Sequence, residues 1–457
     1  MPVNSTNAEY NSAQDRWRTT RDAAEGQEAV KKGTTRYLPD FIPSDEARYK
    51  QYLNLAYYVN VTGRTRNGLV GATFRRDGEV SLPDSVAYLE GNADGGGQSL
   101  TQLSKALVSD LLVTGRYGLL ADYPNVDGVL SQEEVQRRGL QASIKSYKPE
   151  SIINWKTTTV DGVKLLSMVV LKEAAEVMVD DFSSKSVDQY RVLQLVEGVY
   201  WQALYDEELK PVSAFQPRQF KGEPWTVIPF TFSGAEDNTP SVDLSPLFDL
   251  ANINLAHYRN IADHESSLRV FSQVMLHVDI GEMSTEQWTE LNPNGVTFGS
   301  GFGLQTVKGN ANIIQAEPHS KCSQAILDKE QQMVSVGARL ISTEGINQTA
   351  EEARINASSE NSVLDTVVGN ASEAMEAAIE FCVMFMGGNP EEVVYSLNRE
   401  FFDSKISAQE QMTLIQFADR GDISQADLRE KLRKSGVIDQ GRTDEEIDED
   451  RQSEAPI

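Results

Sequence analysis

The sequence has few of the residues from which redox, metal and nucleophile sites are built. Its 457 residues include only 2 cysteines and 4 histidines. The cysteines, Cys322 and Cys382, both fall on apolar helical patterns, so we expect reduced core residues and no disulfide framework. His257 and His264 are seven residues apart, too far to bind one metal ion without other ligands, and no histidine lies in a metal-binding motif, so we expect no metal and no cofactor. The histidines are His257, His264, His277 and His319.

Basic residues are also scarce. Lys and Arg total 42 against 68 Asp and Glu, a formal net charge of −26. Because phosphate binding draws on an excess of Lys and Arg, we do not expect a basic clamp on nucleic acid to dominate this protein. Net charge bears mainly on solubility. An acidic surface can still lie next to DNA, which it would repel and therefore not bind.

Long apolar runs are missing as well. No run approaches the roughly 18 residues that a membrane-spanning helix needs, so we expect no membrane partner. The first 33 residues are polar and lack the apolar segment of a signal peptide, which predicts a protein made and kept in the cytoplasm. Hydrophobic residues still make up 40% of the chain, which excludes a wholly disordered protein.

The most informative stretch of the sequence lies between residues 320 and 386, where two helices are predicted. Helical spacing of apolar residues predicts a helix from Ser320 to Ser342 and a second one from Thr349 to Met386. At 1.5 Å per residue the second helix would span more than about 50 Å. Its first half is almost wholly polar, which indicates a subunit of something larger. The apolar stripe of the first helix consists of Cys322, Ile326, Met333, Val336 and Leu340. The polar break between the helices consists of Thr343, Glu344, Gly345, Ile346, Asn347 and Gln348.

The chain before this stretch predicts a mixture of helix and sheet. Residues 1–34 are polar and indicate an arm or a poorly ordered lead-in. Ser44 is expected to cap a helix, Leu69 to Phe74 to form a strand, and Ser99 with Gln102 to cap a helix that stops at Gly115. Short β-branched and aromatic runs then predict mostly sheet between residues 147 and 232.

Helix returns after the sheet region. Ser245 caps and Pro246 begins a predicted helix that ends at Leu268. Residues 270–318 lose that period and predict strands at Met275 to Val278 and at Gly295 to Phe298, with a small helix at Thr285 to Leu291. After a strand-like run from Val393 to Phe401, capping patterns at Ser407 with Glu410 and at Ser424 with Asp427 predict two short helices. The tail from Thr443 onward is acidic and indicates disorder.

No motif identifies an enzyme. The loop from Asp94 to Gly97 could cradle a phosphate or calcium, but it has no Walker lysine and no spaced carboxylates, which favours a simple turn. Gly299 to Gly303 lacks the spacing of a dinucleotide loop. His319 before Cys322 favours a helix start over a thiolate site, because a catalytic cysteine needs partial exposure. Paired carboxylates such as Glu351 and Glu352 are abundant in an acidic chain and identify nothing.

Several residue strings, taken in order, resemble portal (head–tail connector) proteins of tailed bacteriophages, in a subfamily long catalogued only as a phage domain of unknown function. The likeness covers roughly residues 35–440. The strings are Thr35 to Pro39, Thr62 to Thr65 leading to Gly68 to Gly71, Gly115 to Pro124, Ile153 to Trp155, Ile228 to Phe230, Ser245 to Leu247 running to His257 and Tyr258, and Ser396 to Asn398 before Phe401.

The resemblance implies an α+β portal fold with a helical wing and stem, β-rich wing and clip segments and a small helical crown. The implied regions are an N-terminal arm (1–34), wing (35–240), first stem helix (241–269), clip (270–319), second stem helix (320–342), tunnel loop (343–348), long wing helix and strand (349–402), crown (403–442) and acidic disordered tail (443–457). The tunnel loop is the polar break, Thr343 to Gln348.

The resemblance also implies a function without catalysis. About a dozen copies would form a ring at one capsid vertex of the virion, and double-stranded DNA would pass through it non-specifically during packaging and ejection. Implied partners are the terminase large subunit, a head–tail adaptor, and capsid and scaffolding proteins. Lys321, Lys329 and Arg339 are candidates to face the channel; inter-subunit salt bridges or a solvated surface is the alternative for them. The alternative for the whole chain is a phage-encoded hydrolase that uses acidic residues.

Overall fold

A computed structural model describes residues 2–41, 43, 45–125, 134, 137–271, 275–293, 308–314, 320–340, 362–401, 416–418, 420, 424–434, 438, 442–444 and 446–448. These residues form an α+β fold, in agreement with the mixed pattern of the sequence. The chain divides into two compact units. The first unit consists of Met1–Arg18, Thr65–Phe248 and Gly337–Ile457, and the second of Thr19–Arg64 and Asp249–Val336.

Helices and strands are interspersed along the chain. The α-helices are α1 (Ala8–Glu25), α2 (Gln27–Lys32), α3 (Glu46–Leu55), α4 (Val61–Thr73), α5 (Leu100–Thr114), α6 (Phe248–Phe271), α7 (Thr285–Leu291), α8 (Ser320–Arg339), α9 (Val363–Met386) and α10 (Gln425–Lys434). The strands are β1 (Glu79–Ser81), β2 (Arg116–Asp122), β3 (Ser143–Tyr147), β4 (Ile152–Val160), β5 (Val163–Met178), β6 (Ser184–Val196), β7 (Val199–Tyr205), β8 (Pro211–Phe215), β9 (Phe230–Gly234), β10 (Met275–Asp279), β11 (Asn310–Ile314) and β12 (Val394–Ser396).

The strands of the first unit form one large sheet and two smaller ones. Strands β4 to β8 make a five-stranded antiparallel meander in chain order, and β3, β2 and β9 make a three-stranded sheet with β2 in the centre. Strand β1 pairs with β12. The prediction of mostly sheet between residues 147 and 232 is confirmed.

Helix α9 forms the centre of the first unit's core. It packs against β2, β9, β12 and α5. Its last turns meet an aromatic group, in which Trp225 lies 4.7 Å from Phe385 and 5.8 Å from Phe381, ring centre to ring centre. Cys382 is fully buried there as a free thiol, as expected, while the free Cys322 on α8 is half-buried.

Helix α5 begins and ends where its sequence predicts. The Ser99 side chain accepts a hydrogen bond from the backbone N–H of Gln102, whose own side chain accepts from the Ser99 N–H. At the other end Gly115 adopts φ +75°, a left-handed conformation that glycine enters without the steric cost of a Cβ.

Two expectations for the N-terminal part of the chain are wrong. Residues 8–25 form helix α1 instead of a poorly ordered arm, because Tyr10, Ala13 and Trp17 recur at helical spacing and are buried. The run predicted as a strand from Leu69 to Phe74 is instead helical up to Thr73, the end of α4, since Thr62, Leu69 and Thr73 are buried on one helical face. Short apolar runs of this kind fit either period.

Two predicted helix starts also differ. Asp45, not Ser44, caps α3: its side chain accepts from the Arg48 N–H at 2.9 Å. The second long helix does not run unbroken from Thr349, because Ser362 is extended, accepts from the Asp365 N–H and so begins α9 at Val363. Its 24 residues span about 36 Å.

Candidate functional site

In the described residues between Phe248 and Arg339, helices α6 and α8 flank a small domain of two paired strands, β10 and β11, with helix α7 between them in the chain. The predicted helix starts at Phe248 and not at Pro246, and it ends at Phe271 instead of Leu268. The Ser245 hydroxyl accepts from the Leu247 N–H at 3.2 Å in the turn that precedes the helix. Beyond α6, β10 pairs antiparallel with β11, from Met275 opposite Ile314 to Asp279 opposite Asn310. Helix α8 then follows.

The small domain between the helices matches the sequence in part. Helix α7 has the predicted bounds and is held by a capping box of Ser284 and Gln287. Strand β10 was expected, whereas β11 was not. Its short polar start, Asn310-Ala311-Asn312, lacks the alternation that marks a strand. The strand predicted at Gly295 to Phe298 and the loop from Gly299 to Gly303 lie outside the described residues.

One face of α6 is buried along several turns. Within the second unit Leu250, Ala251, Leu255, Tyr258 and Ala262 are all buried. Tyr258 packs edge to face on Tyr58, with ring centres 5.9 Å apart, and both belong to a core that also contains Val30, Tyr37 and Leu38. The helix is therefore fixed by a continuous apolar contact along several turns.

Asn254 forms the densest polar contact of this helix, and sequence patterning did not single it out. Its buried Oδ1 accepts from the Tyr58 hydroxyl at 2.7 Å, from the Thr62 N–H and hydroxyl at 3.1 and 3.0 Å, and from the Val61 N–H at 3.2 Å. Its Nδ2 donates to the carbonyl of Val59 at 2.9 Å. One amide thus satisfies the backbone where α4 begins.

His257 lies where α6 meets α8. It is 1% exposed, and its Nε2 is 3.5 Å from Oε1 of Glu330, long for a hydrogen bond. Burial lowers the pKa of His257 below 6.5; the Glu330 carboxylate opposes this shift and the Lys329 ammonium adds to it. The imidazole is therefore neutral at pH 7, and the sequence did not indicate that this histidine would be buried.

Helix α8 has two apolar faces. On the predicted stripe Met333 and Leu340 are buried, and Cys322, Ile326 and Val336 are half-buried. A second face carries Leu327 and Val334, two turns apart, which are 51% and 68% exposed. An apolar pair left open along a helix is typical of a surface that meets another protein.

The predicted channel-facing residues differ in their surroundings. Lys321 is exposed, and Lys329 is half-buried close enough to His257 to affect the pKa of the imidazole. The side chain of Arg339 lies outside the described residues, as does the whole predicted tunnel loop, Thr343 to Gln348. Their assignment stays a prediction.

The described part of the chain also contains a partly buried charged cluster around Glu173 and Arg191, in the first unit. Glu173 accepts hydrogen bonds from the Tyr147 hydroxyl at 2.6 Å, from Gln189 at 2.7 Å and from Arg191 at 2.6 and 3.2 Å. Burial alone would raise the pKa of Glu173, but the Arg191 guanidinium and the other donors lower it. Its oxygens are already engaged, so this carboxylate has a structural role and is a poor general acid.

The glycine-rich loop is a structured turn. Asp94 Oδ1 accepts from the backbone N–H groups of Gly96 and Gln98, at 2.7 and 3.0 Å, and Lys145 donates to the Asp94 carbonyl. This favours the turn over the phosphate or calcium cradle.

Among the described residues no three His, Cys, Asp or Glu side chains are grouped to hold a metal ion. No described helix combines the length and apolar character needed to cross a membrane.

Residues 246–386 match the family model "Domain of unknown function (DUF4055)". The match begins just before α6 and ends with α9, so it covers both helices, the small domain between them and the predicted tunnel loop.

Two solved structures are similar over most of this chain. One comes from "Virion of native gene transfer agent (GTA) particle", with 13% identity, 84% of this chain and 92% of that chain covered, and a TM-score of 0.43. The other comes from "Neck of empty GTA particle computed with C6 symmetry", with 14% identity, the same coverage and a TM-score of 0.42. No curated protein matches the chain.

Proposed function

We propose that this chain is the subunit of a portal protein, a ring of about twelve copies at one capsid vertex through which viral DNA is packaged and ejected. The observation that carries the proposal is the helix pair α6 and α8, joined by the β10–α7–β11 domain and followed by a polar segment and the long helix α9. This is the order of stem, clip, stem, tunnel loop and wing helix that the resemblance implies.

The surface of α8 supports an oligomer. Its inner stripe packs within the chain, while Leu327 and Val334 remain exposed on another face of the helix. Side by side in a ring, such helices would bury that face against the next copy. A head-to-tail contact of this type closes into a ring when its rotation divides the circle evenly.

The charge of the chain suits a conduit. DNA has to slide past the wall without lasting contacts, and each phosphate contact to Lys or Arg strengthens non-specific binding. A net charge of −26 keeps such contacts few. Lys321, Lys329 and Arg339 remain the candidates for the small number of cations that face the channel.

The regions take the following roles in this proposal. Helices α6 and α8 are the stem, and the β10–α7–β11 domain is the clip, which meets the terminase large subunit during packaging and the head–tail adaptor afterwards. Residues 35–240 and α9 form the wing, which meets capsid and scaffolding proteins. Residues 403–442 form the crown. The chain does no chemistry of its own, and the motor is a separate protein.

Particle mass and shape test the proposal. Twelve chains of 50.6 kDa give a particle of about 0.6 MDa, so light scattering on the purified protein is expected to give this mass and negative-stain images a perforated disc. A stable 50.6 kDa monomer without a central hole under the same conditions would overturn the portal assignment.

The tunnel loop has its own test. Deleting Gly345 to Asn347 is expected to leave the rings intact and to impair filling of heads with DNA, because the loop would touch DNA and not the neighbouring copy. The readout is ring mass together with packaged DNA per head, compared with the undeleted protein. Normal rings with normal filling would show that this segment is not the tunnel loop.

A further inference from the structure

Helix α10 carries an excess of positive charge in a strongly acidic chain. It holds two arginines and two lysines against one Asp and one Glu, so its net charge is +2 where the whole chain has −26. Arg429 and Arg433 are four residues apart and therefore lie on the same side of the helix. We call them the arginine pair. Each guanidinium can bind a carboxylate or a phosphate through two N–H donors.

The start of the acidic tail, residues 443–457, already occupies the arginine pair. Arg429 donates to both carboxylate oxygens of Asp448, at 3.1 Å for the longer contact. Arg433 pairs with Asp444 and donates through Nε to the carbonyl of Arg442 at 2.9 Å. With the tail in place the two arginine side chains are 11% and 20% exposed. The described part of the tail is therefore docked on α10, where its composition predicts disorder.

A helical turn holds the tail residues that make these contacts. The Thr443 N–H donates to the Glu446 carboxylate at 3.1 Å, and the Glu446 N–H donates to the Thr443 hydroxyl at 3.2 Å, which is a capping box. The Ile447 N–H donates to the Thr443 carbonyl at 3.3 Å. Asp444 and Asp448 are thus one turn apart, the same spacing as the arginine pair that they meet.

The docked tail is held by contacts that another anion can replace. Asp448 and Asp444 are 54% and 41% exposed, and ion pairs this open to water are weak and are screened by salt. A phosphate offers the arginine pair the same acceptor oxygens as a carboxylate. The tail therefore competes with phosphates for these donors.

The tail carries more charge than two arginines need. Residues 443–457 contain seven Asp and Glu and one Arg, a net charge of −6. Only eight residues separate Lys434, the last residue of α10, from Thr443. So short a connection keeps the local concentration of the carboxylates at the arginine pair high. These properties suit a segment that keeps other polyanions off the helix.

We propose that the arginine pair is a phosphate-binding surface for double-stranded DNA, and that the acidic tail covers it through Asp444 and Asp448. This inference rests on the proposed function, in which DNA passes the chain without lasting contacts. An uncovered pair on each of about twelve copies would retard the DNA, since phosphate contacts with Lys and Arg strengthen non-specific binding. The tail prevents this by presenting carboxylates in place of phosphates.

DNA binding by the full-length protein tests the cover. Asp444→Asn with Asp448→Asn removes two charges from the tail. The control is Asp161→Asn with Glu197→Gln, which removes two exposed charges from the β4–β5 and β6–β7 turns. In 50 mM sodium chloride we expect the tail variant to bind a labelled 30-base-pair duplex at least tenfold more tightly than wild type, measured by fluorescence anisotropy, and the control to change less than twofold. The gain is expected to fall about tenfold by 200 mM, because two phosphate contacts give a salt slope of about −1.8.

A second pair of variants ties the gain to the arginine pair. In the tail-neutralised background, Arg429→Gln with Arg433→Gln is expected to return the affinity for DNA to the wild-type value. Lys431→Gln with Lys434→Gln removes two other positive charges of α10 and is expected to keep most of the gain. Equal losses in these two variants would overturn the arginine pair as the phosphate-binding surface. Circular dichroism melting checks that each variant is folded.

Ring formation is measured separately, by light scattering on the same samples. Wild-type rings without a gain in DNA affinity for the tail variant, or with an equal gain for the control, would overturn the cover and leave the portal assignment standing. Wild-type protein that forms no rings would overturn the portal assignment, and the anisotropy comparison would still decide whether the tail covers the arginine pair.

Discussion

Asn254 shows how much one buried amide can organise. Its Oδ1 accepts four hydrogen bonds, so Asn254→Ala would remove this acceptor from the buried N–H and hydroxyl of Thr62, whereas the Tyr58 hydroxyl and the Val61 N–H would keep the carbonyls of Ala23 and Val59. We expect a loss of about 3 kcal/mol in the free energy of unfolding, because buried donors are costly to leave unpaired. Urea denaturation measures it, with the exposed Asn252→Ala on the same helix as control. Equal effects of the two substitutions would contradict this role for Asn254.

His257, at the contact of α6 and α8, makes the stability of the folded chain depend on pH. Because its pKa is lower in the folded chain than the unfolded value near 6.5, folding keeps the imidazole neutral, and stability is full above about pH 6.5. As the pH falls below that value, the unfolded chain takes up the proton first and stability declines. Glu330 and Lys329, the charges that act on His257, act in opposite directions and leave the net shift downward.

We therefore expect His257→Gln to weaken the loss of stability between pH 7.5 and 5.5. The measurement is the urea midpoint at both pH values, with His264→Gln, two turns further along α6, as the matched control. A wild-type decline that persists unchanged in His257→Gln would assign it to other groups.

At the scale of elements, Gly115 controls the turn from α5 into β2. A Cβ there would lie 2.9 Å from the carbonyl oxygens of Asp243 and Leu244, and φ is +75°. We expect Gly115→Ala to destabilise the fold by at least about 1–2 kcal/mol, because an L-residue is strained in this conformation and the backbone cannot yield easily. Gly91→Ala is the control, since φ is −93° and nothing lies within 4 Å of its Cβ position. Thermal melting compares the two, and equal melting temperatures would contradict the expectation.

Local signals predicted the elements that such signals determine. The capping box at Ser99 and Gln102, the glycine stops at Gly115 and Gly387 and the bounds of α7 all agree with the sequence, because each depends on neighbours within a few residues. Helix α4 was missed because Leu69 to Phe74 is apolar enough for either period. Helix α1 was missed because its few apolar residues are spread over five turns among polar ones.

The site was predicted less well than the elements. The amphipathic faces of α6 and α8 could be read from spacing, but Asn254 joins residues about 195 positions apart, and no single-sequence pattern encodes such a contact. The burial of His257 likewise depends on which helix packs beside it. How far the β5–β6 hairpin extends past the sheet depends on where β4 and β7 end, and strand ends are poorly specified by sequence.

At the scale of the whole molecule, charge opposes assembly. Each chain carries −26, so twelve copies would gather a charge of about −300 in one ring. We expect rings to be more stable in 500 mM than in 20 mM sodium chloride, because salt screens this repulsion while the apolar contacts remain. Mass photometry across a dilution series measures the change. Rings that dissociate as salt is added would show that attractive ion pairs dominate the interface.

The outer part of the β5–β6 hairpin, residues 172–189, also bears on how the subunit behaves before it assembles. In the described strands, β5 beyond Leu171 and β6 before Tyr190 have no partner on their outer side, and such open edges favour edge-to-edge aggregation. Asp180 and Asp181 at the exposed tip act as gatekeepers against it, since stacking copies of that tip would bring like charges together. Replacing Asp180 and Asp181 with neutral residues would therefore cause the subunits to precipitate instead of assembling, even though neither carboxylate supports the core.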